Sequence, residues 1–131
     1  MVLGIGTDIL DIRRLFPDFL QPDDPFLRSA FTPREIAQAG TRPEPLKYYG
    51  TRFAGKEAVF KTLGASPDLV RRLADIEILD DENGAPRCVL SGAVGAWAAE
   101  RGAETVHISL SWDGDLAVAF AVLEGSPEKT Q

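Results

Sequence analysis

Arg52-Phe53-Ala54-Gly55-Lys56-Glu57-Ala58-Val59-Phe60-Lys61-Thr62-Leu63-Gly64 reads as the second half of a helix that stops at a C-terminal glycine. Phe53, Glu57 and Lys61 fall at i, i+4 and i+8, so an aromatic ring, a carboxylate and an ammonium share one helix face. An ordinary surface pair has the same spacing, because Glu four residues before Lys is the favoured orientation and contributes about 0.3–0.5 kcal/mol. The row gains a chemical meaning only if stretches elsewhere in the chain bring complementary groups to it.

Upstream, Leu46, Tyr49, Phe53, Phe60 and Leu63 trace the apolar stripe of one long central helix. Gly55 inside it costs about 1 kcal/mol relative to Ala and points to close packing or an approaching ligand, of which packing is preferred. A Pro- and Gly-bearing connector over 40–45 precedes the helix, and Thr32-Pro33-Arg34-Glu35 opens a shorter one that runs to Ala39. The hydrophobic segment 26–31 has no decisive pattern, and 21–25 reads as a loop. Residues 2–9 read as a buried strand ended by Asp8, whose glycines admit another backbone. The pair Gly4 and Gly6 is not a dinucleotide fingerprint, since Ile9 stands where the third glycine belongs. Asp8 either caps a helix over 9–16 or, given a second carboxylate nearby, is a ligand. That helix exposes Arg13 and Arg14, either a solvated face or a docking point for an acidic partner.

Downstream, 65–73 reads as a loop with one helical turn, and 76–79 pairs with 87–90 across a turn at Glu82-Asn83-Gly84-Ala85-Pro86. Ser91 can cap an alanine-rich helix over 92–101 that closes at Gly102. Two strands, 105–111 and 116–123, join at Asp113-Gly114. In the first of them Val106, Ile108 and Leu110 share one face, and His107, Ser109 and Ser111 share the other, a polar row that suits a phosphate or nucleotide edge.

With 131 residues, 44% of them hydrophobic, the chain supports one domain, set at 1–124 with a polar tail over 125–131. One cysteine, Cys88, excludes an internal disulfide, and one histidine excludes a histidine-rich metal site, so a reducing cytoplasmic setting is expected. A net charge of −6 argues against bulk electrostatic binding of nucleic acid, so any anionic ligand must be held by local groups. The N-terminus lacks a basic leader, and no apolar run is long enough to span a bilayer.

Together, Gly4-Ile5-Gly6-Thr7-Asp8-Ile9, the 52–58 stretch with Lys61 and Gly64, and His107-Ile108-Ser109-Leu110-Ser111 resemble the holo-(acyl-carrier-protein) synthases, small 4′-phosphopantetheinyl transferases. The resemblance spans nearly the whole chain. It implies an α+β fold, with an antiparallel sheet packed on the long central helix, and a homotrimer with active sites between subunits. It also implies transfer of the phosphopantetheine arm of coenzyme A to a serine of an acyl carrier protein of fatty acid or polyketide synthesis, with Mg²⁺.

By that resemblance Asp8 and Glu57 are the metal ligands, and Lys61 stabilises charge on the leaving phosphate. Hard oxygen ligands and a fixed cation are what displacement at a phosphoryl centre needs. Arg52, His107 and Ser109 become coenzyme A contacts, Phe53, Gly64 and Pro86 shape the pocket, and Arg13 and Arg14 face the acidic carrier. The proton acceptor is open among Glu57, a metal-bound water and a group of the carrier. Three departures bear on substrate contacts: Gly64-Ala65-Ser66-Pro67 replaces a Gly-Thr-Gly loop, Ala85 stands for a Lys, and Trp112 for a polar residue. The competing readings are a coenzyme A or carrier module without turnover, and a trimeric small-ligand protein in which Glu57 and Lys61 are only a surface pair.

Overall fold

The structure, a computed structural model, describes residues 1–15, 23–64 and 67–126. Helix α4 (Pro45–Leu63) is its axis: Pro45 pre-sets the first turn, and Gly64 ends the last one at φ 56, ψ 37, a left-handed conformation open to glycine. Burial extends around the helix well beyond the expected stripe, taking in Tyr48, Ala54, Lys56, Ala58 and Val59. The reason is that strands cover α4 from more than one side.

Strands β1 (Val2–Asp11), β4 (Ala103–Asp113) and β5 (Leu116–Gly125) form an antiparallel sheet in the order β1-β5-β4, and β2 (Ile76–Asp80) pairs with β3 (Pro86–Leu90) in a separate hairpin. The fold is α+β, as expected. Ala117, Ala119, Ala121 and Leu123 line the buried face of β5, and these small residues let α4 lie close. Glycine brings β1 closer still: a Cβ at Gly4 would overlap the Thr62 carbonyl, and one at Gly6 the Ala58 carbonyl. Gly55 is indeed a packing glycine, since a Cβ there would stand 2.8 Å from Ile78 and 3.0 Å from Leu110.

Several sequence expectations need correction. β1 does not end at Asp8, because Ile9, Leu10 and Asp11 continue the ladder against Val118, Ala117 and Leu116. Asp8 therefore sits inside the strand opposite Ala119 and caps no helix. The helix expected over 9–16 shrinks to one turn, α1 (Ile12–Leu15), with the Asp11 carboxylate accepting the Arg13 N–H at 3.1 Å; Phe16 and the 21–22 part of the loop lie outside the described residues. Of segment 26–31, all but Phe31 belongs to a helix, α2 (Pro25–Ala30), capped by Asp24, which accepts the Phe26 N–H at 2.8 Å. Helix α3 (Pro33–Ala39) carries the expected reciprocal cap between Thr32 and Glu35.

Ser91 does not cap α5 (Gly92–Glu100) with its side chain; Asp75 takes that place by accepting the Val94 N–H at 3.3 Å. The 65–73 loop holds two 3₁₀ turns, Leu69–Arg71 and Leu73–Asp75, while Ala65 and Ser66 are outside the described residues. β5 runs one residue past the boundary set at 124, and 127–131 are likewise undescribed. No described helix is long and apolar enough to cross a membrane.

Candidate active site

The alternation of β1 turns Ile5, Thr7 and Ile9 outward and Gly6 and Asp8 toward α4. There the Lys61 ammonium donates to the Thr7 carbonyl at 2.8 Å and to Asp8 Oδ1 at 3.2 Å. Lys61 thus ties its helix to a residue 53 positions away, besides facing Glu57 on its own helix. Glu57 stands one turn before Lys61. Burial, and then the Asp8 charge, push its carboxyl above the usual carboxylate range, against a smaller opposite pull from Lys61. Two carboxylates repelling one another beside a cation form a hard-oxygen donor pair that a divalent cation relieves. Among the described residues no cluster of three or more His, Cys, Asp or Glu side chains surrounds a metal position; a cation held by Asp8 and Glu57 would complete its shell with phosphate and water.

The neighbouring Lys56 turns the opposite way. Its ammonium is fully buried and meets Glu35 Oε1 at 2.7 Å and the carbonyls of Ala30, Ile76 and Leu73 at 2.8, 2.7 and 3.1 Å. Glu35 also accepts the Ile78 N–H at 2.9 Å through its second oxygen. This knot fixes the rotation of α4 and hence the direction in which Glu57 and Lys61 point.

Arg52 lies elsewhere. It is buried, pairs with Asp80, stacks 3.8 Å over the Tyr48 ring and leaves its Nε without a hydrogen-bond partner among the described residues. Burial raises the Tyr48 hydroxyl to about 12. Arg52, Tyr48 and Pro86 line a cavity of about 310 Å³ together with Arg42, Lys47 and Trp112. Lys61 and Gly64 line a different groove with Arg101, whose guanidinium stacks 3.6 Å over Trp97.

His107, Ser109 and Ser111 do share a face, the outer one of the three-stranded sheet, opposite Val122, Phe120 and Val118. His107 Nε2 is 2.9 Å from Glu124 Oε1 and holds that carboxyl below the usual range. Phe53 is half-buried, its ring 6.0 Å from that of Phe26. Arg13 pairs with Asp115 at 3.0 Å, and Arg14 reaches Asp11 only at 3.9 Å; both are exposed. The structure thus brings Asp8, Glu57, Lys61 and Gly64 to one region, Arg52 and Pro86 to a second, and His107 and Ser109 to a third.

Residues 4–121 match the family model of the 4′-phosphopantetheinyl transferase superfamily. The chain belongs to this superfamily. The holo-[acyl-carrier-protein] synthase of Syntrophus aciditrophicus is 39% identical over 125 residues, covering 95% of this chain and 98% of its own. The crystal structure of the Neisseria meningitidis holo-[acyl-carrier-protein] synthase matches with a TM-score of 0.81 at 32% identity, over 95% of this chain and 99% of that one. An ACPS-CoA complex from Chronobacterium ammoniagenes matches at 0.80 and 30% identity, over 94% and 97%.

For a member of this superfamily, the residues that sequence reasoning missed are as informative as those it found. Glu35 carries a visible signal as a helix cap, but nothing local announces that its carboxylate also receives Lys56 from 21 positions away. Asp80, which gathers Arg42 at 2.9 Å as well as Arg52, and Lys47, which holds Asp115 at 3.5 Å, had no motif to mark them.

Proposed function

We propose that this chain transfers the 4′-phosphopantetheine arm of coenzyme A to a serine hydroxyl of an apo acyl carrier protein, releasing adenosine 3′,5′-bisphosphate. The observation that carries the reading is the meeting of Asp8, Glu57 and Lys61 across the β1–α4 contact. In the transfer the serine oxygen forms a new bond to the phosphorus that bears pantetheine, the bond from that phosphorus to the bridging oxygen breaks, and the serine proton is taken up. Lys61 offers a fixed positive charge beside the carboxylates, where the departing phosphate gains negative charge. Asp8 and Glu57 would hold Mg²⁺, which when bound neutralises diphosphate oxygens and orients them for in-line displacement.

The division of the other candidates among separate surfaces favours a site completed by a neighbouring copy. The outer face of the three-stranded sheet supports that assembly: Ile5, Ile9 and Phe120 are 71%, 67% and 57% exposed there, next to His107 and Ser109. We take the assembly to be the homotrimer that the resemblance implies, in the cytoplasm, with Arg13 and Arg14 meeting an acidic carrier, free or part of a fatty acid or polyketide synthase.

Intact-mass measurement of an apo carrier protein incubated with this protein, coenzyme A and Mg²⁺ tests the reading. A gain of one phosphopantetheine, abolished by EDTA and by Glu57→Gln, is expected. Binding of coenzyme A with no mass gain on any of several carriers would overturn it in favour of a module without turnover.

A further inference from the structure

The cavity beside Arg52 has an aromatic wall that the chemistry above leaves unused. Of its two rings, Tyr48 is only 4% exposed and already carries two guanidinium groups, Arg52 at 3.8 Å and Arg42 at 5.8 Å. Trp112 is different. It follows Leu110 on the helix-facing side of β4, near the strand's end, and remains 47% exposed. The Lys47 ammonium sits 5.0 Å from the indole centroid and is itself anchored by the Gly114 carbonyl and Asp115. An indole so backed is held in place without being buried, which is the arrangement that a flat ligand ring requires.

The remaining walls supply Arg42, Lys47 and Arg52 against the carboxylates of Glu44 and Asp80. A neutral heteroaromatic ring joined to phosphates matches this lining: the ring against the indole, the phosphates toward the cations. The volume, about 310 Å³, falls at the lower end of the range typical of small-ligand sites, large enough for a nucleoside but not for a whole coenzyme.

Resting on the proposed transferase reading, we infer that Trp112 is a specificity-determining residue that stacks on the purine ring of the nucleotide end of coenzyme A and of the released bisphosphate. Stacking of a base on an aromatic side chain is tolerant of the base's edge groups but requires a π-face, so the gain belongs to the nucleotide and not to the pantetheine arm.

The test uses the whole protein and two probes, adenosine 3′,5′-bisphosphate and 4′-phosphopantetheine. The chain has two tryptophans, so indole fluorescence reports the contact directly. The bisphosphate should quench the wild-type signal saturably, Trp97→Phe should retain that quench, and Trp112→Phe should lose it while keeping affinity within about threefold by calorimetry. Trp112→Ala should weaken the bisphosphate about tenfold and leave 4′-phosphopantetheine unchanged. Equal affinity of wild type and Trp112→Ala for the bisphosphate would overturn the inference with the transferase reading intact, as would equal loss for both probes. No binding of the bisphosphate or coenzyme A to wild type would remove the transferase reading and this inference with it.

Discussion

The ammonium of Lys56 lies 2.7 Å from the carboxylate of Glu35, and neither side chain has exposed surface. Burial lowers the Lys56 pKa, while the nearby Glu35 charge and the hydrogen bond to it raise it in partial compensation. Breaking such a pair from one side leaves an uncompensated buried charge, at a cost of about 3–5 kcal/mol. Glu35→Leu or Lys56→Met alone should therefore lower the denaturant midpoint sharply, and the double variant should recover much of the loss. Independent, additive losses in the double variant would remove the pair from its proposed structural role.

Glu57 points the other way energetically. Its folded pKa is raised, so the folded state binds its proton more readily than the unfolded chain. Its contribution favours folding at pH below that raised pKa and turns against folding as pH rises from the unfolded value through the folded one. At neutral pH Glu57→Gln should raise the melting temperature slightly while abolishing phosphopantetheine transfer. Thermal denaturation of metal-free protein at pH 7.5 checks it; a fall in melting temperature would show that the ionised carboxylate stabilises the fold.

Among the described residues Arg14 reaches Asp11 at 3.9 Å, while Arg13 shares its charge with Asp115 at 3.0 Å. With chain and carrier both acidic, attraction must act over about 8–10 Å. Arg14→Glu should raise the carrier KM about tenfold at low salt with kcat little changed, and the effect should shrink at 0.5 M salt. Asp115→Asn, which releases Arg13, should lower the KM. An unchanged KM in Arg14→Glu would remove the arginines from carrier docking.

Phe120 projects from the outer sheet face between Thr7 and Ser109. Placing a charge there should prevent copies from packing on that face and leave α4 and its core untouched. Phe120→Asp is expected to sediment as a folded monomer without transfer activity; an unchanged sedimentation coefficient would redirect the assembly to another surface.

What could be read from the sequence was whatever announces itself over a few residues: the Thr32–Glu35 cap, the Gly64 stop, the Asp113-Gly114 hairpin and the packing role of Gly55. Asp8, open from its own context between a helix cap and a ligand, was misplaced at a strand end. Over 4–8 the inward face of β1 offers Gly4, Gly6 and Asp8, with Leu10 its first large apolar residue, while Ile5 and Ile9 face outward, so the usual apolar-inside pattern is a poor guide there. Lys56 was hidden for a different reason, since lysine is almost never fully buried and its partner is distant in the chain. Arg52 and Lys61 stand nine positions apart on one helix, which puts them on opposite faces and before different cavities, so their separation was there to be read in the spacing.

Gly4 and Gly6 let β1 rest directly on the carbonyls of Thr62 and Ala58. The spacing of the backbones that carry Asp8 and Glu57 is therefore set by main chain against main chain. If the two carboxylates share a cation, as proposed, its room is bounded first by the backbone: a variant selected to work with a larger ion should change at these two glycines.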